Sequence, residues 1–308
     1  MAVKSNEILG VRGLTVDFDS RNSHHRVLED IHLSLRAGET LGLIGEGGSG
    51  KSLIAWSILG LPPRKSRVAS GGVFFQERNI LAGSEPEVER LRGRELALIV
   101  QNARAHLNPL LRVGDQIINV YMAHHRVSRD QARAKALETL RAVSIPDPVQ
   151  RMRAYPHELS GGMAQRILIA MATISEPSIL IADEPTMGLD VTIQVQILDL
   201  LKAQTQRLNA SMLLITRDLG IAANYCNRIA VLYGGRIIET SDVFAFFDAP
   251  DHPYSEALLR AADLDLAGGD VADPSLHSER VYSRPAHPDG ARASRRLCDG
   301  PSEADVAG

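Results

Sequence analysis

The chain has 308 residues, an apolar share of 44% and a formal net charge of −3, so it can bury a sizeable core and carries no overall basic field for nucleic acid. Its two cysteines, Cys226 and Cys298, are too few for a disulfide framework or a four-ligand metal site and fit a reducing compartment. The opening MAVKSNEILGVRG lacks the apolar run of a signal peptide, and nowhere is there an apolar stretch of about eighteen residues or more, so any transport role calls for separate membrane-embedded partners.

Leu14, Val16 and Phe18 alternate with polar residues, as do Ile31, Leu33 and Leu35, which predicts an antiparallel β layer at the start. Residues 40–44 (TLGLI) predict a buried strand, followed by a glycine-rich loop and a helix over 52–59 that Gly60 and Pro62-Pro63 end. From about 104 to 156 the pattern turns helical, and 129–143 carries apolar residues three and four apart along one face, which predicts a helical insertion. Apolar runs at 178–182 and 212–216 return as buried strands on either side of a long helix over 191–208. Strands alternating with helices predict a parallel sheet wrapped by helices. Residues 229–233 and 236–239 flank Gly234-Gly235 as a hairpin. Beyond about 264 the composition shifts to Gly, Ala, Asp, Ser, Pro and Arg, which predicts a poorly ordered tail, and no internal repeat is visible.

Three motifs carry chemistry. Gly45-Glu46-Gly47-Gly48-Ser49-Gly50-Lys51-Ser52 fits G-x-x-x-x-G-K-[ST] between a predicted strand and a predicted helix. Its glycines let backbone N–H groups turn inward around a phosphate chain, Lys51 reaches the outer phosphates, and the Ser52 hydroxyl is a ligand for Mg²⁺. Alone, the loop says nucleoside triphosphate without naming an enzyme. Residues 179–184 (ILIADE) end an apolar strand in two carboxylates, a pattern that delivers acids to the carboxyl edge of a parallel sheet. There Asp183 is placed to hold Mg²⁺ through its water shell, and Glu184 to polarise the attacking water; without the loop, a surface Asp-Glu pair would be the better reading. Residues 159–166 (LSGGMAQR) place a Ser-Gly-Gly turn before a helix over about 163–174, a second anion site on a chain that already has one.

Taken together, the three resemble the Walker A loop, Walker B strand and signature sequence of ABC transporter ATPases. The resemblance, over about residues 8–262, implies an α/β P-loop NTPase with a RecA-like core. Its expected division is a core of 1–103 and 165–262, a helical subdomain over 104–164 and an extension over 263–308. In that family ATP is sandwiched in a head-to-tail dimer, so the resemblance implies that Ser160, Gly161, Gly162 and Gln165 close over a nucleotide held by the partner's loop. It also implies that Gln101 is a Q-loop glutamine contacting Mg²⁺, that Asp190 in Gly188-Leu189-Asp190 belongs to a D-loop, and that Phe18 stacks on adenine, although an inward core phenylalanine explains Phe18 nearly as well.

Residues 101–110 (QNARAHLNPL), 167–172 (ILIAMA) and 252–259 (HPYSEALL) are similar to the peptide and nickel importer branch. That branch implies a second ABC ATPase, two transmembrane permease subunits, an extracytoplasmic substrate-binding protein, and a place on the cytoplasmic face of the bacterial inner membrane. Its cargoes include dipeptides, oligopeptides, nickel, opines and metal-binding metabolites, and the ATPase does not choose among them. The pattern is broken at one place that matters: Arg217 stands where the family has a γ-phosphate-contacting histidine. Two expectations follow, that Arg217 slows hydrolysis at this chain's own loop or that it substitutes for the histidine. Asn102-Ala103, Ala164 and Gly188 are smaller departures, and a lone Cys298 in place of a cysteine cluster implies no iron–sulfur cofactor.

Overall fold

The computed structural model describes residues 6–20 and 23–266. Apart from a first turn that ends the helix Pro253–Leu266, the expected tail, with Cys298, lies outside the described residues. Ten strands occur among the described residues: β1 (Glu7–Ser20), β2 (Ser23–Arg36), β3 (Thr40–Ile44), β4 (Ser66–Phe75), β5 (Arg78–Asn79), β6 (Leu96–Ile99), β7 (Ile179–Asp183), β8 (Ser211–Thr216), β9 (Arg228–Tyr233) and β10 (Arg236–Asp242). They form two sheets, ordered β2-β1-β4-β5 and β10-β9-β3-β8-β7-β6.

The first sheet is the expected antiparallel layer. Leu9, Val11 and Leu14 pair in register with Leu35, Leu33 and Ile31, so the period-two residues of both strands fall on one face, where they are buried. The third long strand, β4, was not foreseen, because its apolar alternation survives only at Val73 and Phe75 beyond a Gly71-Gly72 pair and a polar start.

In the second sheet β9, β3, β8, β7 and β6 run parallel and β10 returns antiparallel as the predicted hairpin. The central positions of β3, β7, β8 and β9 are apolar because both faces of the sheet are covered there. Leu41, Leu43, Ile179, Ile181, Leu213, Ile215, Ala230 and Leu232 face a core shared with the antiparallel sheet and the helix Lys51–Ile58. The residues between them, Ile44, Leu180, Ala182, Met212, Leu214, Ile229 and Val231, face a second core shared with the helices Val113–His124, Arg129–Ala142, Gly161–Thr173 and Val191–Leu208. The fold is therefore α/β, with the parallel sheet held between a helix-lined layer and a β layer.

The stretch after β6 carries the helices Ala103–His106, Val113–His124, Arg129–Ala142 and Pro148–Arg151, matching the helical pattern expected over about 104–156. One boundary is corrected. The helix expected from 163 begins at Gly161, because the Ser160 hydroxyl accepts the Met163 N–H at 3.3 Å and so caps the helix two residues earlier.

Candidate nucleotide-binding site

All the strands that bear chemistry end on one edge. Ile44 lies opposite Thr216 and Asp183 opposite Ile215, so the phosphate loop after β3, the carboxylates after β7 and Arg217 after β8 emerge side by side at the carboxyl edge of the parallel sheet. Gly45 opens the loop at φ +151, and a Cβ there would stand 2.2 Å from the Leu232 carbonyl oxygen, so only glycine lets the chain turn this close to β9. The other side of the loop rests on β2, where Leu28 Cδ2 would meet a Cβ on Gly50 at 2.7 Å.

Lys51 opens the helix and is 5% exposed. Its ammonium donates to the Gly45 carbonyl at 2.6 Å and the Glu46 carbonyl at 2.8 Å, so the charge points back into the cup of its own loop. Burial pulls its pKa below the ordinary lysine value, against the attraction of Glu184. Glu46, Gly47, Gly48, Ser49 and Gly50 complete the loop, with Ser52 one helical residue on. A glycine-rich loop with a buried ammonium at its floor suits the outer phosphates of a nucleotide.

Asp183 ends β7 and is 5% exposed, and burial holds its carboxyl above the ordinary aspartate range despite a hydrogen bond from Ser52. One of its oxygens, Oδ1, is buried with no hydrogen-bond partner. An unsatisfied carboxylate oxygen beside a hydroxyl is what a hard, oxygen-seeking cation needs, so Ser52 and Asp183 fit Mg²⁺. Glu184 follows in the left-handed region at φ +44, pinned by its N–H to the Ile215 carbonyl at 3.0 Å. Arg217 meets it there: its Nε and Nη2 donate to the two carboxylate oxygens at 2.8 and 2.9 Å. The sequence showed that Arg217 was unusual; it gave no sign of this pairing.

Gln101 lies two residues past the end of β6 and is half-buried, beyond β7 from the loop. Phe18 sits half-buried on β1 against the core beneath the β layer.

The signature turn is built elsewhere. Ser160 is exposed, Gln165 is buried, and a Cβ on Gly161 or Gly162 would meet Leu189 at 3.3 Å or Ile193 at 2.8 Å. Asp190 caps the next helix by accepting the Ile193 N–H at 3.0 Å. The glycine contacts thus tie the turn to the segment around Asp190, whereas the corresponding contacts of Gly45, Gly47 and Gly50 run to Leu232, Arg217 and Leu28.

One further contact went unpredicted. Buried Glu239 on β10 accepts the N–H groups of Asp251 and His252, both at 3.2 Å, and so anchors the HPYSEALL segment. Tyr254 then lies on Tyr233 with ring centroids 4.0 Å apart and donates its hydroxyl to Glu46 of the phosphate loop at 3.1 Å. The sequence offered only the segment's likeness to the importer branch, because its partners stand far away in the chain.

A family model described as ABC transporter matches residues 28–187, which span the phosphate loop, the signature turn and the carboxylate strand. The chain belongs to the ABC transporter family. It is 45% identical over 259 residues to a probable peptide ABC transporter ATP-binding protein of Sinorhizobium fredii, covering 84% of this chain and 77% of that one. Against the dipeptide transport ATP-binding protein DppD of Bacillus subtilis it is 40% identical over 298 residues, covering 95% and 89%. Against the oligopeptide transport ATP-binding protein OppD of Escherichia coli it is 41% identical over 266 residues, covering 86% and 79%. Among solved structures, a bacterial ABC transporter cassette in dimeric form superposes with a TM-score of 0.69 at 24% identity, covering 76% of this chain and 98% of that one, a likeness of fold.

Proposed function

We propose that this chain is the ATP-hydrolysing subunit of a bacterial importer of dipeptides or oligopeptides, peripheral on the cytoplasmic face of the inner membrane. The observation that carries it is the convergence of Lys51, Asp183, Glu184 and Arg217 on one sheet edge, joined to relatives named for peptide transport. Among the described residues no helix is long and apolar enough to cross a membrane, which is consistent with two separate permease subunits providing the path.

The loop from Gly45 to Ser52 binds the phosphates, with Lys51 turning its ammonium from the loop carbonyls to the outer phosphates. Ser52 and Asp183, with Gln101 reaching in from the end of β6, would hold Mg²⁺, which would supply charge neutralisation to the phosphates. Glu184 is the general base for water, and Arg217 the cationic donor to the γ-phosphate. Phe18 receives the adenine. Ser160, Gly161, Gly162, Gln165 and Asp190 are the half-site lent to a second ATP-binding subunit, because a turn with its own capped helix, packed against Leu189 and Ile193, is suited to a nucleotide held by another molecule. The region 104–164 is the helical subdomain that meets the permeases, and 1–103 with 165–262 the ATPase core. An extracytoplasmic binding protein delivers the cargo, and the same machinery would serve nickel, opine or metallophore uptake.

The test is peptide uptake and ATP turnover by the assembled transporter. Lys51→Met and Glu184→Gln should each abolish uptake of labelled di- and tripeptides. Loss of nickel uptake with peptide uptake intact would move the cargo to the other members of the branch. Unchanged turnover in both variants would end the reading.

A further inference from the structure

Arg217 and Glu184 leave neighbouring strands, β8 and β7, at matching heights, because Asp183 is opposite Ile215 in the ladder. Both backbones are held: Glu184 by its N–H on the Ile215 carbonyl at 3.0 Å, and the Arg217 segment by the Asp218 N–H on the Thr216 hydroxyl at 3.1 Å. The guanidinium fork then meets the carboxylate squarely, two bonds of 2.8 and 2.9 Å, with Met187 Sδ 3.9 Å from Nη2. Its third nitrogen, Nη1, faces the phosphate loop, 3.4 Å from where a Cβ on Gly47 would stand. One side chain therefore spans from the base to the place where phosphate binds.

Resting on the reading of Glu184 as the general base, we propose that Arg217 is a latch on that base. In the nucleotide-free chain its guanidinium occupies both carboxylate oxygens, and hydrolysis at this chain's own loop requires it to pass from Glu184 to the γ-phosphate. A fork-to-fork pair engages the inward lone pair of each oxygen, which is where a proton from water would land. A histidine in the same position has a single donor to offer and leaves one oxygen open. A triphosphate brings its outermost charge to Nη1, while a diphosphate ends one group short, so the latch answers to ATP and ignores ADP. Guanidinium stays charged at every accessible pH, so proton uptake does not release it. Arg217 acts on the base through position, and Lys51, which lies within reach of both members of the pair, is also acted on by Asp183 and Glu46.

The experiment uses the assembled transporter in which the partner ATPase carries an amide in place of its own base, so that turnover reports this chain's site. Arg217→His should raise kcat about tenfold, roughly 1.4 kcal/mol, with KM for ATP moved less than about threefold. Below about pH 6.5 the imidazole becomes charged and pairs with Glu184 again, so the gain should fade there, a limb absent from the parent profile. Arg217→Lys, whose ammonium holds a single oxygen, should lie between the two. In a Glu184→Gln background Arg217→His should give no rise. Unchanged or lowered turnover in both the His and Lys variants overturns the latch, as does an equal rise without Glu184. If Glu184→Gln by itself leaves turnover intact, the general-base reading fails, an outcome separate from failure of the latch alone.

Discussion

Asp183→Asn should make the nucleotide-free protein more stable while removing its response to Mg²⁺. The native carboxylate is 5% exposed, burial works against its charge, the neighbouring Glu184 adds to that, and Oδ1 has no partner. Asparagine keeps the shape and still accepts from Ser52, but carries no charge to desolvate. The cost of burying the charge and its repulsion by Glu184 outweigh the pull of Lys51, so the variant should gain about 1–2 kcal/mol. At about 2–4 °C per kcal/mol for a chain of this size, Tm should rise by about 2–8 °C at pH 7 without nucleotide. The pH sign follows from the raised carboxyl. Its stabilising contribution is full below the ordinary aspartate range and is lost as pH climbs through the higher folded value. The variant's advantage should therefore be full at pH 7 and shrink as urea titrations move toward pH 4. Added Mg²⁺ should enlarge the ATP-induced thermal shift of the parent protein and leave that of the variant unchanged. A variant less stable than the parent, or one that keeps the Mg²⁺ increment, would refute the assignment of Asp183.

Two other consequences follow from packing. Gly162→Ala places a methyl 2.8 Å from Ile193 Cγ2 and should cost about 1–3 kcal/mol in chemical denaturation, with Ile193→Ala restoring part of the loss. Glu239→Gln removes the charge from two backbone bonds that hold the Pro253–Leu266 helix, so about 1–2 kcal/mol should be lost, seen as faster proteolysis within residues 249–266.

Much of this was legible in the sequence because it is local. The phosphate loop needs glycines at fixed offsets, and strands covered on both faces need apolar residues throughout, so β3, β7, β8 and the helix Val191–Leu208 stand within a residue of expectation. Residues that meet only through topology were not legible. Glu184 and Arg217 are 33 residues apart, and Tyr254 and Glu46 are 208 apart, and neither pair has a sequence spacing that announces it. β4 was missed because glycines and polar residues on an exposed stretch break the alternation that marks a strand.

On the proposed function, ATP should bring the Ser160 turn of this chain onto the phosphate loop of a second ATPase. The direct measurement is disulfide cross-linking in the assembled transporter, in a Cys298→Ser background with buried Cys226 left in place, between Ser160→Cys here and a cysteine in the partner's phosphate loop. A cross-link should form with ATP in a Glu184→Gln background and be weak without nucleotide. A cross-link indifferent to ATP, or none under any nucleotide condition, would contradict it.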